Sequence, residues 1–190
     1  MKTNKIAVLV GSLRKASFTK KLAESLARLA PASIELEIVE IGQLPLYNED
    51  AETAGPPAAW LAFRKSIEAA DGVLFCTPEY NRSMPAALKN AIDVGSRPYG
   101  QAPLQGKPCA VVSTSAGQLG GFGANHAVRQ AVVFLNMPCM QAPEAYVGGI
   151  GAKFEGDRLA DESTRGFLTQ FMAAFAIWVD RHAAHNSVHR

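Results

Sequence analysis

The chain has 190 residues, a length that predicts one domain spanning 1–190. Apolar residues make up 48% and charged residues 19%, which is typical of a globular protein and excludes a disordered or collagen-like chain. The net charge of +2 comes without a basic block, so composition gives no reason to expect a nucleic-acid or membrane partner.

Strand-like and helix-like segments alternate along the chain. The apolar run 6–10 predicts a strand covered on both faces, and the spacing of Phe18, Leu22, Leu26 and Leu29 predicts a helix that Pro31 ends. The later elements, in chain order, are an edge strand over 34–41, a polar loop over 42–55, a helix over 57–70, a strand over 73–76, a helix from Pro85, a strand over 109–112, a helix over 124–135, a short strand over 138–140 and a helix over 168–181.

The three cysteines, Cys76, Cys109 and Cys139, are widely spaced and form no CxxC pair, which disfavours a zinc site or a disulfide framework. Each lies in an apolar, strand-like run, so we expect small buried hydrophobes rather than redox or metal groups. No apolar run is long enough for a signal-peptide core or a membrane span. We therefore expect a cytoplasmic protein without a metal site.

The alternation of strands and helices indicates βαβ units and a parallel sheet. Five strands predict an α/β fold, a doubly wound sandwich of three layers. In such sheets ligands bind beyond the carboxyl ends of the strands, near the point where the strand order reverses. The loops after the first, third and fourth strands are therefore the place to search for a site.

The first loop, residues 11–19, joins a buried strand to the start of a helix. Helix N-termini bind anions through unpaired N–H groups, and Arg14 and the hydroxyls of Ser12, Ser17 and Thr19 add further donors. The loop matches neither a P-loop nor a GxGxxG fingerprint. The alternative is that Ser17 only caps the helix and Arg14 is solvated.

The other two loops have unusual compositions. In residues 77–85, Pro78 and Pro85 bracket a turn that carries an aromatic, an amide, a carboxylate and a guanidinium group. In residues 113–123, four glycines let the backbone approach a ligand closely. The alternatives are an ordinary strand-to-helix turn for the first and a flexible surface loop for the second.

Three motifs, in this order, resemble the NADPH-dependent FMN reductase family. They are G-S-L-R-K-x-S after the first strand, P-E-Y-N-R-S-x-P followed by L-K-N-A-I-D, and the S-x-G-x-x-G-G loop. The resemblance covers about residues 5–149, and the middle motif is its most specific part. The family includes bacterial quinone and chromate reductases with a flavodoxin-like fold, which implies the strand order 2-1-3-4-5.

The resemblance implies FMN as a bound prosthetic group and NADPH or NADH as the hydride donor. It implies a quinone or a similar acceptor, such as chromate, an azo compound or free flavin, and a homodimer or homotetramer. No side chain need act as nucleophile or base, because the flavin carries the chemistry. The matching positions that would contact FMN are Ser12, Arg14, Ser17, Phe18 and Thr19 at the phosphate, Pro78, Glu79, Tyr80, Asn81 and Arg82 at the ring edge and ribityl chain, and Ser115, Gly117, Gln118 and Gly120 at the ring.

Other functions stay open at this point. A flavodoxin-type electron carrier would bind FMN without accepting hydride, but such carriers are strongly acidic and have a different phosphate loop. A reductase could instead use free FMN as a substrate. A binding module without enzymatic activity would require all three loops to be coincidental. Arg82 stands where some homologues have glycine, so it could bind a pyridine-nucleotide phosphate, contact another subunit or have no specific role.

Overall fold

The computed structural model describes residues 3–186. Its centre is a parallel sheet of five strands in the order β2-β1-β3-β4-β5, which confirms the predicted fold class and strand order. The strands are β1 Asn4–Val10, β2 Ile34–Val39, β3 Gly72–Pro78, β4 Cys109–Thr114 and β5 Ala145–Val147. The helices are α1 Phe18–Leu29, α2 Glu49–Ala54, α3 Ala58–Glu68, α4 Ala86–Gly95, α5 Phe122–Val133 and α6 Glu162–Asn186. A 3-10 turn, Ile150–Lys153, leads into a small hairpin of β6 Phe154–Glu155 and β7 Arg158–Leu159.

Side chains of β1 alternate between two hydrophobic cores. Ile6, Val8 and Val10 pack under α1 and α6, whereas Ala7 and Leu9 pack under α3, α4 and α5. Because successive strand residues point to opposite faces, a strand covered on both sides must be apolar throughout, which explains the unbroken run in the sequence. Helix α1 leaves β1 toward one face and α4 leaves β3 toward the other, so a crevice opens between the ends of these strands.

The predicted fifth strand over 138–140 is wrong. That segment makes a single bridge to β4, in which the N–H of Met140 donates to the carbonyl of Cys109 at 2.8 Å. The fifth strand is Ala145–Val147, which pairs with the last three residues of β4. Without this pairing, the end of β4 would be an open edge of the sheet. The strand is only three residues long, and its pairing with β4 is what defines it.

The predicted loop over 42–55 also contains a helix, α2. Asn48 caps its first turn by accepting a hydrogen bond from the N–H of Asp50 at 2.8 Å. The Glu52 carboxylate accepts hydrogen bonds from both terminal nitrogens of Arg64, a residue of α3. The Nε of Arg64 donates to the carbonyl of Val94. The helix therefore depends on an ion pair with α3, which no local pattern reveals.

Two of the three cysteines are buried, as expected, and the third is not fully buried. Cys76 and Cys109 are buried, and burial raises the pKa of the Cys76 thiol to about 12. Cys139 is only half-buried. Within residues 3–186, no helix is long and apolar enough to cross a membrane.

Candidate functional site

The first and third loops meet at the crevice between β1 and β3. A Cβ atom added to Gly11 would lie 3.2 Å from Oγ1 of Thr77 and 3.3 Å from Cδ of Pro78. The N–H of Gly11 also donates to the carbonyl of Cys76 at 2.8 Å. Glycine at position 11 therefore lets the two loops start side by side, and the expected juxtaposition is present.

The first and fourth loops are joined by a pair of hydroxyl groups. Oγ1 of Thr19, in the first turn of α1, lies 2.9 Å from Oγ1 of Thr114, the last residue of β4. Both residues are buried, with 3% and 2% of their surface exposed. A pair of hydroxyls shares one hydrogen in its mutual bond, so a second hydrogen is left for another acceptor. Sequence analysis placed Thr114 in the fourth loop but did not assign it to the site, because nothing in the loop's pattern indicates its contact with Thr19.

The start of α1 has the properties of an anion site. Ser17 is the N-cap, and its Oγ accepts a hydrogen bond from the N–H of Lys20 at 3.2 Å. The first turn contains no acidic residue, and Phe18 at its beginning is partly exposed. The positive end of the helix dipole and the first N–H groups are thus available to a negatively charged group.

Arg14 adds an unpaired positive charge beside this helix start. It is exposed and forms no ion pair with any residue of the described range 3–186. With Ser12, Lys15 and Lys20, it lines a cleft of about 310 Å³ between the first loop and the end of β2. Glu40 also lines the cleft, but three cations outnumber this one carboxylate, so the net positive charge suits a phosphate group.

The third loop is a tight two-residue hairpin. Tyr80 and Ser83 exchange two backbone hydrogen bonds of 3.0 Å each. Asn81 and Arg82 between them have φ values of +50° and +65°, the arrangement of a type I′ turn. Asparagine tolerates this left-handed region, whereas arginine is strained there. The hairpin presents Tyr80, Asn81 and Arg82 to solvent beyond β3, next to the partly buried Pro78.

The carboxylate of Glu79 connects the third loop to α5. One oxygen accepts a hydrogen bond from the N–H of Ala124 at 3.2 Å, and the other accepts from Arg82 at 3.0 Å. A Cβ atom on Gly123 would lie only 2.6 Å from the carbonyl oxygen of Arg82, so glycine permits this contact. The Glu79 side chain is 12% exposed, and both of its oxygens bind groups of the protein. Only the backbone of Glu79 is therefore available to a ligand.

The glycines of the fourth loop have different surroundings. Gly120 has a φ of +60°, and its Cβ position would lie 2.5 Å from the carbonyl carbon of Tyr146, so β5 itself requires glycine there. Gly117 has open space at its Cβ position and accepts a 2.7 Å hydrogen bond from the hydroxyl of Ser115. Gln118 beside it is exposed. The carbonyls of Ser115 and Gly117 are bonded within the protein, so what this first half of the loop offers a ligand is the open side of Gly117 and the exposed Gln118.

An aromatic cluster that sequence reasoning did not assign to the site lies beside the fourth loop. The rings of Phe122 and His126 are 4.2 Å apart, and Nε2 of His126 lies 3.0 Å from the hydroxyl of Tyr146. Burial and the Glu144 carboxylate raise the pKa of Tyr146 to about 12, so its phenol stays protonated. The spacing of Phe122 and His126, four residues apart on α5, was the available signal.

Comparison with known proteins matches the same part of the chain. The family model described as NADPH-dependent FMN reductase matches residues 4–151. A quinone reductase of Pseudomonas putida is 60% identical over 94% of this chain and 96% of its own length. A 2-hydroxy-1,4-benzoquinone reductase of a Burkholderia species is 45% identical over 92% of this chain and 96% of its own length. Among solved structures, FerB, a flavoenzyme NAD(P)H:(acceptor) oxidoreductase from Paracoccus denitrificans, has 41% identity and a TM-score of 0.89, covering 95% of this chain and 99% of its own.

Proposed function

The chain belongs to the NADPH-dependent FMN reductase family, and from that premise we propose that it oxidises NAD(P)H and reduces a quinone through FMN held at the three loops. It is an oxidoreductase of the group that contains quinone reductases and NAD(P)H-dependent FMN reductases. The acceptor is a small molecule. Chromate, azo compounds and free flavin are further acceptors that this chemistry allows.

One observation supports this proposal most directly: Arg14, which has no ion-pair partner within residues 3–186, lies in the first loop beside the first turn of α1, where it lines the cleft toward the end of β2. A phosphate group needs positive charge and N–H donors, and both are present there. A planar ring needs backbone that can approach it, and the open side of Gly117 and the hairpin after β3 provide it. The residues present therefore fit FMN.

When bound, FMN supplies the redox chemistry by accepting hydride from NAD(P)H and passing electrons to the acceptor. We assign Ser12, Arg14, Ser17 and the N–H groups of Phe18 and Thr19 to the phosphate. The backbone of residues 78–82 and 115–118 would position the ring, with N–H groups that stabilise negative charge as it develops. Glu79 fixes the relative position of these two segments through Ala124.

The chain's surface near the loops supports a homodimer or homotetramer. Leu13, Leu119 and Phe122 are 58%, 65% and 51% exposed, which is unusual for large apolar residues around a binding site. A second copy of the chain would cover them and enclose the acceptor. We also propose a cytoplasmic location, which suits three cysteines that are all free thiols.

Steady-state kinetics test the proposal. With FMN saturating, NADPH is varied at several fixed concentrations of 1,4-benzoquinone, and initial rates are measured. Because donor and acceptor use the same space in turn, double-reciprocal plots should give parallel lines. Failure to oxidise NADPH or NADH, in protein that retains FMN, would instead support the electron carrier.

A further inference from the structure

Two cysteines that are distant in the sequence face each other on adjacent segments of the sheet. Cys109, the first residue of β4, is paired with Cys139 in an isolated parallel β-bridge. The N–H of Cys109 donates to the carbonyl of Pro138 at 3.0 Å, and the carbonyl of Cys109 accepts from the N–H of Met140 at 2.8 Å. Neighbouring strands lie about 4.7–4.9 Å apart, and paired residues point to the same face. Disulfides need Cα atoms about 4.4–6.8 Å apart, and the usual spacing of paired strand residues falls within this range.

A fixed positive charge lies beside one of the two thiols. The Arg129 guanidinium is 3.5 Å from Sγ of Cys139. It is held in place by Oδ1 of Asn125 at 2.9 Å and by the carbonyl of Met140 at 3.0 Å. Asn125 is itself fully buried and donates to the backbone of Val111. In the described part of the chain, Arg129 forms no ion pair with a carboxylate, so its charge acts on the sulfur.

The two thiols consequently differ in their proton affinity. A hydrogen bond from the Cys109 thiol, together with Arg129, lowers the pKa of Cys139. Burial and the neighbouring Cys139 raise the pKa of Cys109 well above the ordinary range. Of the two thiols, Cys139 is therefore the one that loses its proton more readily. Cys139 is also the half-buried member, and so the one that a small oxidant can reach.

We propose that Cys139 is a peroxide-sensitive nucleophile and that Cys109 is its resolving thiol. The Cys139 thiolate attacks one oxygen of a hydroperoxide; the O–O bond breaks, a proton is taken up, and sulfenic acid and water (or an alcohol) are formed. The Cys109 sulfur then attacks the sulfenic sulfur, the S–S bond forms, and a second water leaves. Two thiols are oxidised by two electrons in total, and the hydroperoxide is reduced by the same two electrons.

This modification site is separate from the three loops. It lies at the start of β4, whereas the three loops follow the carboxyl ends of β1, β3 and β4. It extends the function beyond the hydride transfer proposed above. The disulfide would remove the Cys139 thiol as a partner of Arg129, whose other partners are Met140 and Asn125. Asn125 also donates to Ser113 in β4. The redox state of the pair is thereby connected to α5, which begins at the fourth loop.

Intact mass measurement of the FMN-loaded full chain tests the proposal. The protein is treated at pH 7 with about one equivalent of hydrogen peroxide, with and without dimedone. The wild type should lose two hydrogen atoms, regain them with dithiothreitol, and yield a peptide that links Cys109 to Cys139. Cys109→Ser should form a dimedone adduct at Cys139, and Cys139→Ser should remain unchanged. Cys76→Ser, the matched control, should behave as the wild type.

Substitutions at Arg129 test the origin of the reactivity. Arg129→Gln should slow the oxidation of Cys139 several-fold, because the positive charge that favours its thiolate is removed. Arg129→Lys should retain most of the rate, and circular dichroism checks that both variants fold. A wild-type mass that stays unchanged, or a disulfide to Cys76 or between two chains, would overturn the proposal without any variant.

Discussion

The Glu79 carboxylate accepts a hydrogen bond from the backbone N–H of Ala124 across 3.2 Å. This contact joins the hairpin after β3 to the start of α5, so two of the three loops form one unit. A negative charge at a helix N-terminus is also favoured by the helix dipole. Arg82, the second partner of Glu79, is 77% exposed on its side chain and adds little to this arrangement.

Arg82→Gly should therefore stabilise the protein. A non-glycine residue in the left-handed region costs about 1–2 kcal/mol, and the flexibility of glycine in the unfolded chain returns about half of that, leaving a net gain of about 0.5–1 kcal/mol. Urea denaturation measures this difference. Arg82→Ala should show no gain, and Asn81→Gly should show a smaller one because asparagine tolerates the turn. A loss of stability in Arg82→Gly would mean that the guanidinium has a structural role.

Arg14→Ala should weaken FMN binding by about 1.5–3 kcal/mol, the usual size of a hydrogen bond to a charged group. The reason is that Arg14 is an exposed cation beside α1 without an ion-pair partner in residues 3–186, and its planar guanidinium can bind a phosphate with two hydrogen bonds at once. Titration of the apoprotein, followed by quenching of FMN fluorescence, gives the Kd. Lys15→Ala is the matched control, since it removes a neighbouring positive charge and should have a smaller effect. Equal affinities for Arg14→Ala and the wild type would remove Arg14 from the phosphate site.

The hydroxyl pair of Thr19 and Thr114 predicts non-additive stability changes. Thr19→Val or Thr114→Val alone leaves one buried hydroxyl without its partner and should cost about 1–3 kcal/mol. The double variant should cost less than the sum of the two, because both polar groups are gone. Chemical denaturation of all four proteins measures the coupling. Strict additivity would show that the hydroxyls do not interact.

The lowered pKa of Asp161 predicts that this residue contributes to stability in a pH-dependent way. Hydrogen bonds from Thr164 and the charge of Lys153 lower the pKa of Asp161 to about 2. The unfolded value is about 3.9, so the contribution is complete above about pH 4 and is lost as the pH falls toward 2. Asp161→Asn, which can still accept from the N–H of Thr164, should lower the Tm at pH 7. The difference in Tm from the wild type should shrink between pH 4 and pH 2, whereas a constant difference would contradict this assignment.

The sequence predicted the central sheet well because its strands are covered on both faces. Such strands are apolar without interruption, and the intervening helices have regular apolar spacing, so both patterns are local. The fifth strand was misplaced because Ala145–Val147 is short and is selected by pairing with the end of β4. Helix α2 was missed because Arg64, distant in the sequence, stabilises it through Glu52.

The position of the candidate site was also predictable, since parallel strands bring their following loops to one edge. The individual roles were less so. Gly120 was predicted to contact the ligand, but the close approach of the Tyr146 backbone is enough to explain a glycine at this position. The hydrogen bond from the N–H of Ala124 to the Glu79 carboxylate could not be predicted from the residues around Glu79. Such contacts depend on how α5 and β5 pack, which no spacing within a loop encodes.

The most direct test of the central claim is the visible spectrum of the purified protein after FMN is added and excess FMN removed. It is recorded without oxygen, before and after adding NADPH or NADH and then 1,4-benzoquinone. We predict a bound oxidised-flavin spectrum that bleaches with the nicotinamide and returns with the quinone. A folded protein that retains no flavin, or a bound flavin that neither nicotinamide bleaches, would contradict the account.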